Sequence, residues 1–294
     1  MPLRRYLQLD VFADRPGAGN PLAVVLDAEG LDDATMQSIA RWTRLPETTF
    51  VFPPTTPGAG YRVRMFSPHR EVPFAGHPSV GTAFAVLDAG LVMPTDGILL
   101  QEGVAGVLPL SVDKAGAEER CVIAVRTPRA RVVETATRDD VRLAGALAGF
   151  LPGALPPALL DGGRRWWLVE VASEAALRGA APDWDAIAAL AKSTGSMGVC
   201  AFARSEAHAG HDLVVRAFVG ASGPFEDAAS GAANAVIAAW LAHNDALPGR
   251  DGRYVASQGR EVGADARLQL HVDADGEVWS GGRVCAVIRG QIDW

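Results

Sequence analysis

The feature that most constrains this chain is an internal echo: a strand, a loop and an apolar helix occur twice. The first copy runs Tyr61-Arg-Val-Arg-Met-Phe66 and then Pro73-Phe-Ala-Gly-His-Pro-Ser-Val-Gly81. The second runs Leu213-Val-Val-Arg-Ala-Phe218 and then Pro224-Phe-Glu-Asp-Ala-Ala-Ser-Gly231. Arg64 and Phe66 match Arg216 and Phe218 at an offset of 152. Matching Gly81 to Gly231 sets His77 against Asp227 at an offset of 150, which makes the second loop two residues shorter. A duplication of this size predicts two similar halves facing each other across a cleft, with His77 on one wall and Asp227 on the other. Interfaces between domains are favoured places for small-molecule sites.

Length agrees with two halves. At 294 residues the chain exceeds one typical domain. The expected modules are residues 1–127 and 128–294, with the last strand free to cross back to the first. An interruption at Pro128 marks the linker. The 49% hydrophobic content can fill two cores, and the net charge of −7 argues against a nucleic-acid binder. An anionic substrate must then be held by local donors and not by a global field. Cys121, Cys200 and Cys285 are far apart and odd in number, which predicts buried free thiols in a reducing cytoplasm and no structural zinc. The N-terminus passes at once into strand-like alternation, and no apolar run is long enough to span a bilayer.

Periodicity fills in both halves. In the first, Leu7–Phe12, Leu22–Leu26 and Tyr61–Phe66 read as strands, Asp32–Arg44 as an amphipathic helix and Pro78–Ala89 as a second helix. In the second, Trp166–Val171, Gly198–Ala203 and Leu213–Phe218 read as strands, and Arg138–Phe150, Trp184–Ser193 and Ala228–His243 as helices. Strands near Tyr254–Ala256, Leu268–Val272, Val278–Ser280 and Cys285–Ile292 complete it. The helices from Pro78 and Ala228 are apolar nearly all round, so each must be buried on all sides. The expected fold is therefore α+β: two pseudo-symmetric modules, each a curved, mostly antiparallel sheet around a central helix. The helix N-termini should point into the cleft, where unpaired N–H groups and the helix dipole attract anions.

Three residues can carry chemistry. Glu47, in Leu45-Pro-Glu-Thr-Thr49, has apolar neighbours on both sides; burial there would bring a carboxylate pKa towards the working pH of a general acid or base. Aligning Phe52 with Phe202 brings Gly198 within one residue of the position opposite Glu47, so one half alone has this carboxylate. His77 precedes Pro78 at a helix start, where a neutral imidazole is favoured, and Gly76 permits close approach of a ligand. Asp227 stands at the second helix mouth, where an N-cap and a catalytic role are compatible. Glu226 reads as a solvated or structural carboxylate. Gly17-Ala-Gly19 reads as a tight turn and not a dinucleotide loop, with Asn20 placed to reach the cleft. His208 and His211 read as solvated.

With these segments in hand, the chain resembles the phenazine-biosynthesis PhzF-like family, on the diaminopimelate-epimerase fold. The resemblance rests on Asp10-Val-Phe-Ala-Asp-Arg-Pro-Gly-Ala-Gly-Asn-Pro21, Leu45-Pro-Glu-Thr-Thr-Phe50, Pro73-Phe-Ala-Gly-His-Pro78, Glu226-Asp-Ala-Ala-Ser-Gly-Ala232 and Gly281-Gly-Arg-Val-Cys285. It implies a homodimer with no metal and no organic cofactor, a catalytic Glu47, and His77 and Asp227 lining the cleft. The family pattern Glu-Asp-Pro-Ala-Thr-Gly-Ser-Ala is altered here by Ala228, Ser230 and Ala232, and Pro46 replaces a frequent serine. The helix mouths lack the paired cysteines of the fold's racemases, which disfavours a two-thiol mechanism.

The resulting expectation is a cytoplasmic, cofactor-independent isomerase acting on a small carboxylated, cyclic metabolite. Glu47 would move the proton. His77 and Asp227 would position the substrate, and Gly76, Ser230, Gly231, Ala232 and Asn20 would bind it. Two alternatives remain: a metabolite-binding protein without turnover, and a lyase or dehydratase using the same base.

Overall fold

Each half of the chain lays down the same succession of strand steps. The computed structural model describes residues 2–115, 120–205 and 209–294. By its contacts the chain divides into one unit of residues 1–126 and 281–294 and another of residues 127–280. The first contains β1 (Leu3–Val11), β2 (Asn20–Val25), α1 (Asp33–Thr43), β3 (Glu47–Phe52), β4 (Tyr61–Phe66), β5 (Glu71–Val72), α2 (Gly76–Asp88), β6 (Ile98–Gly103), β7 (Gly106–Ala115) and β8 (Arg120–Arg126). The second contains β9 (Arg131–Thr135), α3 (Ala144–Leu147), β10 (Ala158–Asp161), β11 (Arg165–Glu170), α4 (Glu174–Arg178), α5 (Trp184–Thr194), β12 (Gly198–Arg204), β13 (Leu213–Val219), β14 (Phe225–Asp227), α6 (Gly231–His243), β15 (Arg253–Gln258) and β16 (Ala266–Val272). β17 (Val278–Gly282) spans the boundary, and β18 (Val284–Asp293) lies in the first unit, antiparallel to β1 from Leu3 opposite Asp293 to Val11 opposite Val284.

In the first unit the sheet runs β18-β1-β2-β3-β4-β6-β7-β8, antiparallel except for the pairs β2–β3 and β4–β6. In the second, β9-β10-β11-β12-β13-β15-β16 is antiparallel except for β11–β12 and β13–β15. A parallel pair needs a crossover, and a helix supplies each one: α1 and α2 in the first unit, α5 and α6 in the second. α2 buries ten of its thirteen residues and packs on β18, β1, β2, β3, β6 and β8. Touching strands from both ends of one sheet requires that sheet to curl around the helix. Gly81 makes this fit possible: a Cβ there would lie 2.5 Å from Leu22 and 2.8 Å from Val11. α1 instead covers the sheet's outer face with Met36, Ile39 and Ala40, capped by Asp32, which accepts from the Thr35 N–H at 2.8 Å. α5 does the same in the second unit with Ile187 and Leu190 against Trp167 and Phe218.

The duplication is real, but its register differs from the sequence match. Arg64 and Arg216 are equivalent: each lies over the phenylalanine two residues on, at 5.2 Å from Phe66 and 4.8 Å from Phe218. Phe66 then pairs with Glu71, and Phe218 with Glu226. The intervening residues are 67–70 in the first unit and 219–225 in the second, so the second loop is three residues longer, not two shorter. From there the offset is 155, and both helices start at matching glycines, Gly76 and Gly231. His77 therefore matches Ala232, and Asp227 matches Val72. The similar Pro-Phe pairs are not equivalent: Pro73-Phe74 follows β5, whereas Pro224 precedes β14 and Phe225 begins it.

Other corrections are local. The expected helix over 138–150 is reduced to Ala144–Leu147, and α4, β9 and β10 were not foreseen. α6 starts at Gly231, not Ala228, because Ser230 is its cap and accepts from the Ala233 N–H at 3.3 Å. Asp227 is not the cap; it ends β14. The strand over Cys285–Ile292 lies in the first unit, the crossing back for which the sequence left room. Of the cysteines only Cys200 is buried. His211 is buried and not solvated, with Nε2 3.4 Å from Glu174 Oε1, while His208 lies outside the described residues.

Candidate active site

Glu47 opens β3, beside Leu22 of the parallel strand β2. Residues in register share a face of a sheet, and so do residues two apart along a strand. Leu22 faces α2 at Gly81. Glu47 therefore faces the helix, and Asn20, the first residue of β2, lies on the same side and is 2% exposed. The loop delivering Asn20 is held by Asp10, whose carboxylate accepts from the Gly17 N–H, and Gly17 turns with a left-handed φ of +79°.

His77 is the second residue of α2, whose cap is the backbone of Ala75. Its Nε2 lies 3.4 Å from Glu47 Oε2, and the two side chains are only 8% and 12% exposed. Two polar chains fix this geometry. Thr82 of α2 donates to Thr49 of β3 at 2.8 Å, tying the helix to the strand that carries Glu47. Tyr61 donates to Gln101, and Gln101 donates to Ser79 of the first helical turn, each at 3.1 Å. Ser79 in turn donates to the Ala75 carbonyl at 3.0 Å. These partners are buried, so their bonds cannot be exchanged cheaply for water. Sequence reading missed them. Hydroxyls and amides at positions of an otherwise apolar pattern were the available signal.

Strand register confirms the asymmetry at Glu47. Thr48 pairs with Phe66 and Val199 with the equivalent Phe218, so the residue before each, Glu47 or Gly198, holds the same place. Gly198 has φ +147°, and a Cβ there would lie 2.0 Å from the Phe218 carbonyl, so no side chain is accommodated in the second unit.

The second unit presents Asp227, Ser230, Gly231 and Ala232 around the start of α6. Asp227 pairs with Ala217 of β13, and its Oδ1 accepts from the Ala229 N–H at 3.3 Å. Ser230 is buried and caps the helix. Ser280 donates to the Gly231 carbonyl at 3.2 Å. Ala232 is half-buried one residue into the helix. Glu226 is held bidentately by Arg216 at 2.9 and 2.7 Å, with both side chains buried, which makes it a structural carboxylate. Behind Asp227, burial first and then the charge of Asp227 push the Cys200 thiol well up, so it stays protonated.

Among the described residues, no group of three His, Cys, Asp or Glu side chains is arranged to hold a metal ion, and no helix is long and apolar enough to cross a membrane. An open depression of about 660 Å³ in the second unit, lined by Arg164, Arg165, Lys192 and Ser196, contains none of the expected site residues.

Comparison with known proteins places these arrangements in context. Residues 9–290 match the family model described as phenazine biosynthesis-like protein. The chain is 32% identical to a trans-2,3-dihydro-3-hydroxyanthranilate isomerase of Pseudomonas aeruginosa, over 94% of this chain and 92% of the relative. A solved structure described as a predicted epimerase, also from Pseudomonas aeruginosa, is 32% identical and superposes with a TM-score of 0.78 over 98% of this chain and 99% of the other. A PhzF-family protein from Bacillus anthracis superposes with a TM-score of 0.84 at 23% identity and full coverage of both chains, which bears on the fold alone.

Proposed function

Because this chain belongs to the family of phenazine biosynthesis-like proteins, we propose that it is an isomerase that moves a proton within a small carboxylated, cyclic metabolite, with neither metal nor organic cofactor. The observation that carries this reading is the pairing of Glu47 with His77 at 3.4 Å, nearly buried, at the start of a helix. Glu47 takes a proton from a carbon next to an unsaturated or carbonyl system. The C–H electron pair moves into that system, and the protonated carboxyl returns the proton at its far end, so the formula is unchanged. General acid–base help of this kind is worth ~10²–10⁴-fold. His77, at the mouth of α2 beside Glu47, holds a substrate hydroxyl or adjusts its protonation. Asp227 is the third residue of this proposal and positions the substrate. Backbone N–H groups at Gly76, Gly231 and Ala232, with Ser230 and Asn20, bind the carboxylate. A cytoplasmic homodimer is part of the same proposal.

The test uses trans-2,3-dihydro-3-hydroxyanthranilate, the compound named for the Pseudomonas aeruginosa relative, and close carboxylated analogues, in D₂O. Deuterium incorporation with formation of an isomer supports the reading. Binding without incorporation identifies a non-catalytic binder, and release of water or another fragment identifies a lyase; either result overturns it.

A further inference from the structure

The segment from Asp227 to the first turn of α6 is gripped from behind by one fully buried side chain. Gln258 ends β15 and is 0% exposed. Its Oε1 accepts from the Ser230 N–H at 3.1 Å and from Asn234 Nδ2 at 2.8 Å. Its Nε2 donates to the Asp227 carbonyl at 2.8 Å. Asn234 also donates to the Ser230 carbonyl at 2.9 Å. One carboxamide thus holds both ends of the connection between β14 and α6, using donor and acceptor at once.

Topology explains why it can. β14 and β15 share the same edge of β13: Gln258 lies opposite Val215, and Asp227 lies opposite Ala217. The two residues stand nearly end to end along that edge, and the Gln258 side chain bridges the gap. The backbone closes in as well. Gly259 has φ +92°, and a Cβ there would lie 2.3 Å from the Ala228 carbonyl. β15 is itself flanked by β13 and β16, so the grip is anchored in the middle of a sheet.

Comparison of the two units separates this grip from ordinary helix support. In the first unit Gln101 donates to Ser79, which is the position of Asn234 at the offset of 155, so a glutamine-to-helix bond is common to both. What the second unit adds are the two bonds to the loop, at Ser230 and Asp227. In the first unit the place of Gln258, opposite Val63, falls to Gly103, and the place of Asp227 falls to Val72. The extra bonds occur where the carboxylate occurs.

We infer that Gln258 is the positioning residue for Asp227: it fixes the main chain on either side of the Ala229 N–H to which the carboxylate bonds, and so fixes the direction of that carboxylate. This rests on the proposed function and names a further part of its machinery. Methionine at 258 keeps the length and removes both roles. Glutamate, when ionised, keeps the acceptor and loses the donor.

The experiment compares the wild type with Gln258→Met and Gln258→Glu by deuterium transfer to trans-2,3-dihydro-3-hydroxyanthranilate and by amide hydrogen exchange across the second unit. Gln258→Met is expected to lower kcat ~10²-fold, as a misplacement of about 1 Å does, with KM changed only a few-fold. Gln258→Glu should lie between it and the wild type. Amides of residues 228–234 should lose protection while those of β12 and β13 keep it. Unchanged kcat, or protection lost evenly through the unit in step with activity, overturns the inference. A wild type that transfers no deuterium to this compound or to its close carboxylated analogues overturns the isomerase reading instead. The exchange pattern then decides Gln258 alone: selective loss at 228–234 upholds its hold on Asp227, and even loss refutes it.

Discussion

His77 and Ala232 occupy the same position in the two units: each is the second residue of a buried thirteen-residue helix, and the short strand before each helix carries a glutamate held by arginine. One framework thus presents an imidazole in one unit and a methyl group in the other. The carboxylates are divided one to each unit: Glu47 of the first has Gly198 as its counterpart, and Asp227 of the second has Val72. The duplication supplies scaffolding, and the chemistry lies in the differences between the copies.

Replacing Glu47 with glutamine should remove turnover while leaving the fold intact. The amide keeps the shape and cannot carry a proton. A fall of ~10²–10⁴-fold in kcat is expected, with an unchanged thermal transition. Near-normal turnover of an identified substrate would show that Glu47 is not the base.

Ala232→Ser should alter substrate choice more than stability. The side chain is half-buried at a helix start, so the added hydroxyl should change unfolding by no more than ~0.5 kcal/mol. Ratios of kcat/KM across a panel of carboxylated analogues, set against chemical denaturation, provide the check. Equal ratios in both forms would mark Ala232 as neutral.

The duplicated ion pairs should differ in cost. Arg216→Met strands the buried Glu226 charge and should destabilise the protein by ~3–5 kcal/mol. Arg216→Met combined with Glu226→Leu should recover most of that loss. Arg64→Met should cost only about 1 kcal/mol, because Arg64 and Glu71 are 21% and 30% exposed. Urea denaturation of the three variants would expose a wrong ranking.

Glu102 should shape the acid limb of stability. The Thr55 hydroxyl first, then the Thr56 and Thr55 N–H groups, lower its carboxyl to about 2. A group depressed on folding contributes stability that is present above its unfolded value, near 4.5, and is lost as pH falls towards its folded one. The gap in urea midpoint between the wild type and Glu102→Gln should be constant above pH ~5 and close between pH ~4.5 and ~2. A gap that persists at the acid end would remove the linkage.

Much of this was legible before the structure. The apolar girth of the two central helices required sheets wrapped around them, and the Glu47 and His77 segments stood out as polar residues at helix and strand ends. The register of the repeat was not legible. Pro73-Phe74 and Pro224-Phe225 look alike, but only strand pairing shows that Glu71 and Glu226 are the true equivalents. The side chains that hold the site from behind were hidden for a related reason. Gln258, Gln101 and Thr82 act on residues far off in sequence, and a single polar residue in a strand or helix gives no hint of its partner. The short β9 and β10 lack the alternation of a half-buried strand, because Ala158, Leu159 and Leu160 are all buried and β9 is mostly exposed.

The return of β18 to the edge of β1 sets an order of assembly. Residues 127–280 form one continuous stretch, whereas the sheet of the first unit stays open until the residues paired with Leu3–Val11 have left the ribosome. The half that begins first should therefore close last. A chain ended after Ser280 should keep residues 127–280 resistant to protease while the earlier part is digested; resistance of both parts would argue against this order. A nascent chain, on this view, has no firmly seated Glu47–His77 pair until its last strand is in place.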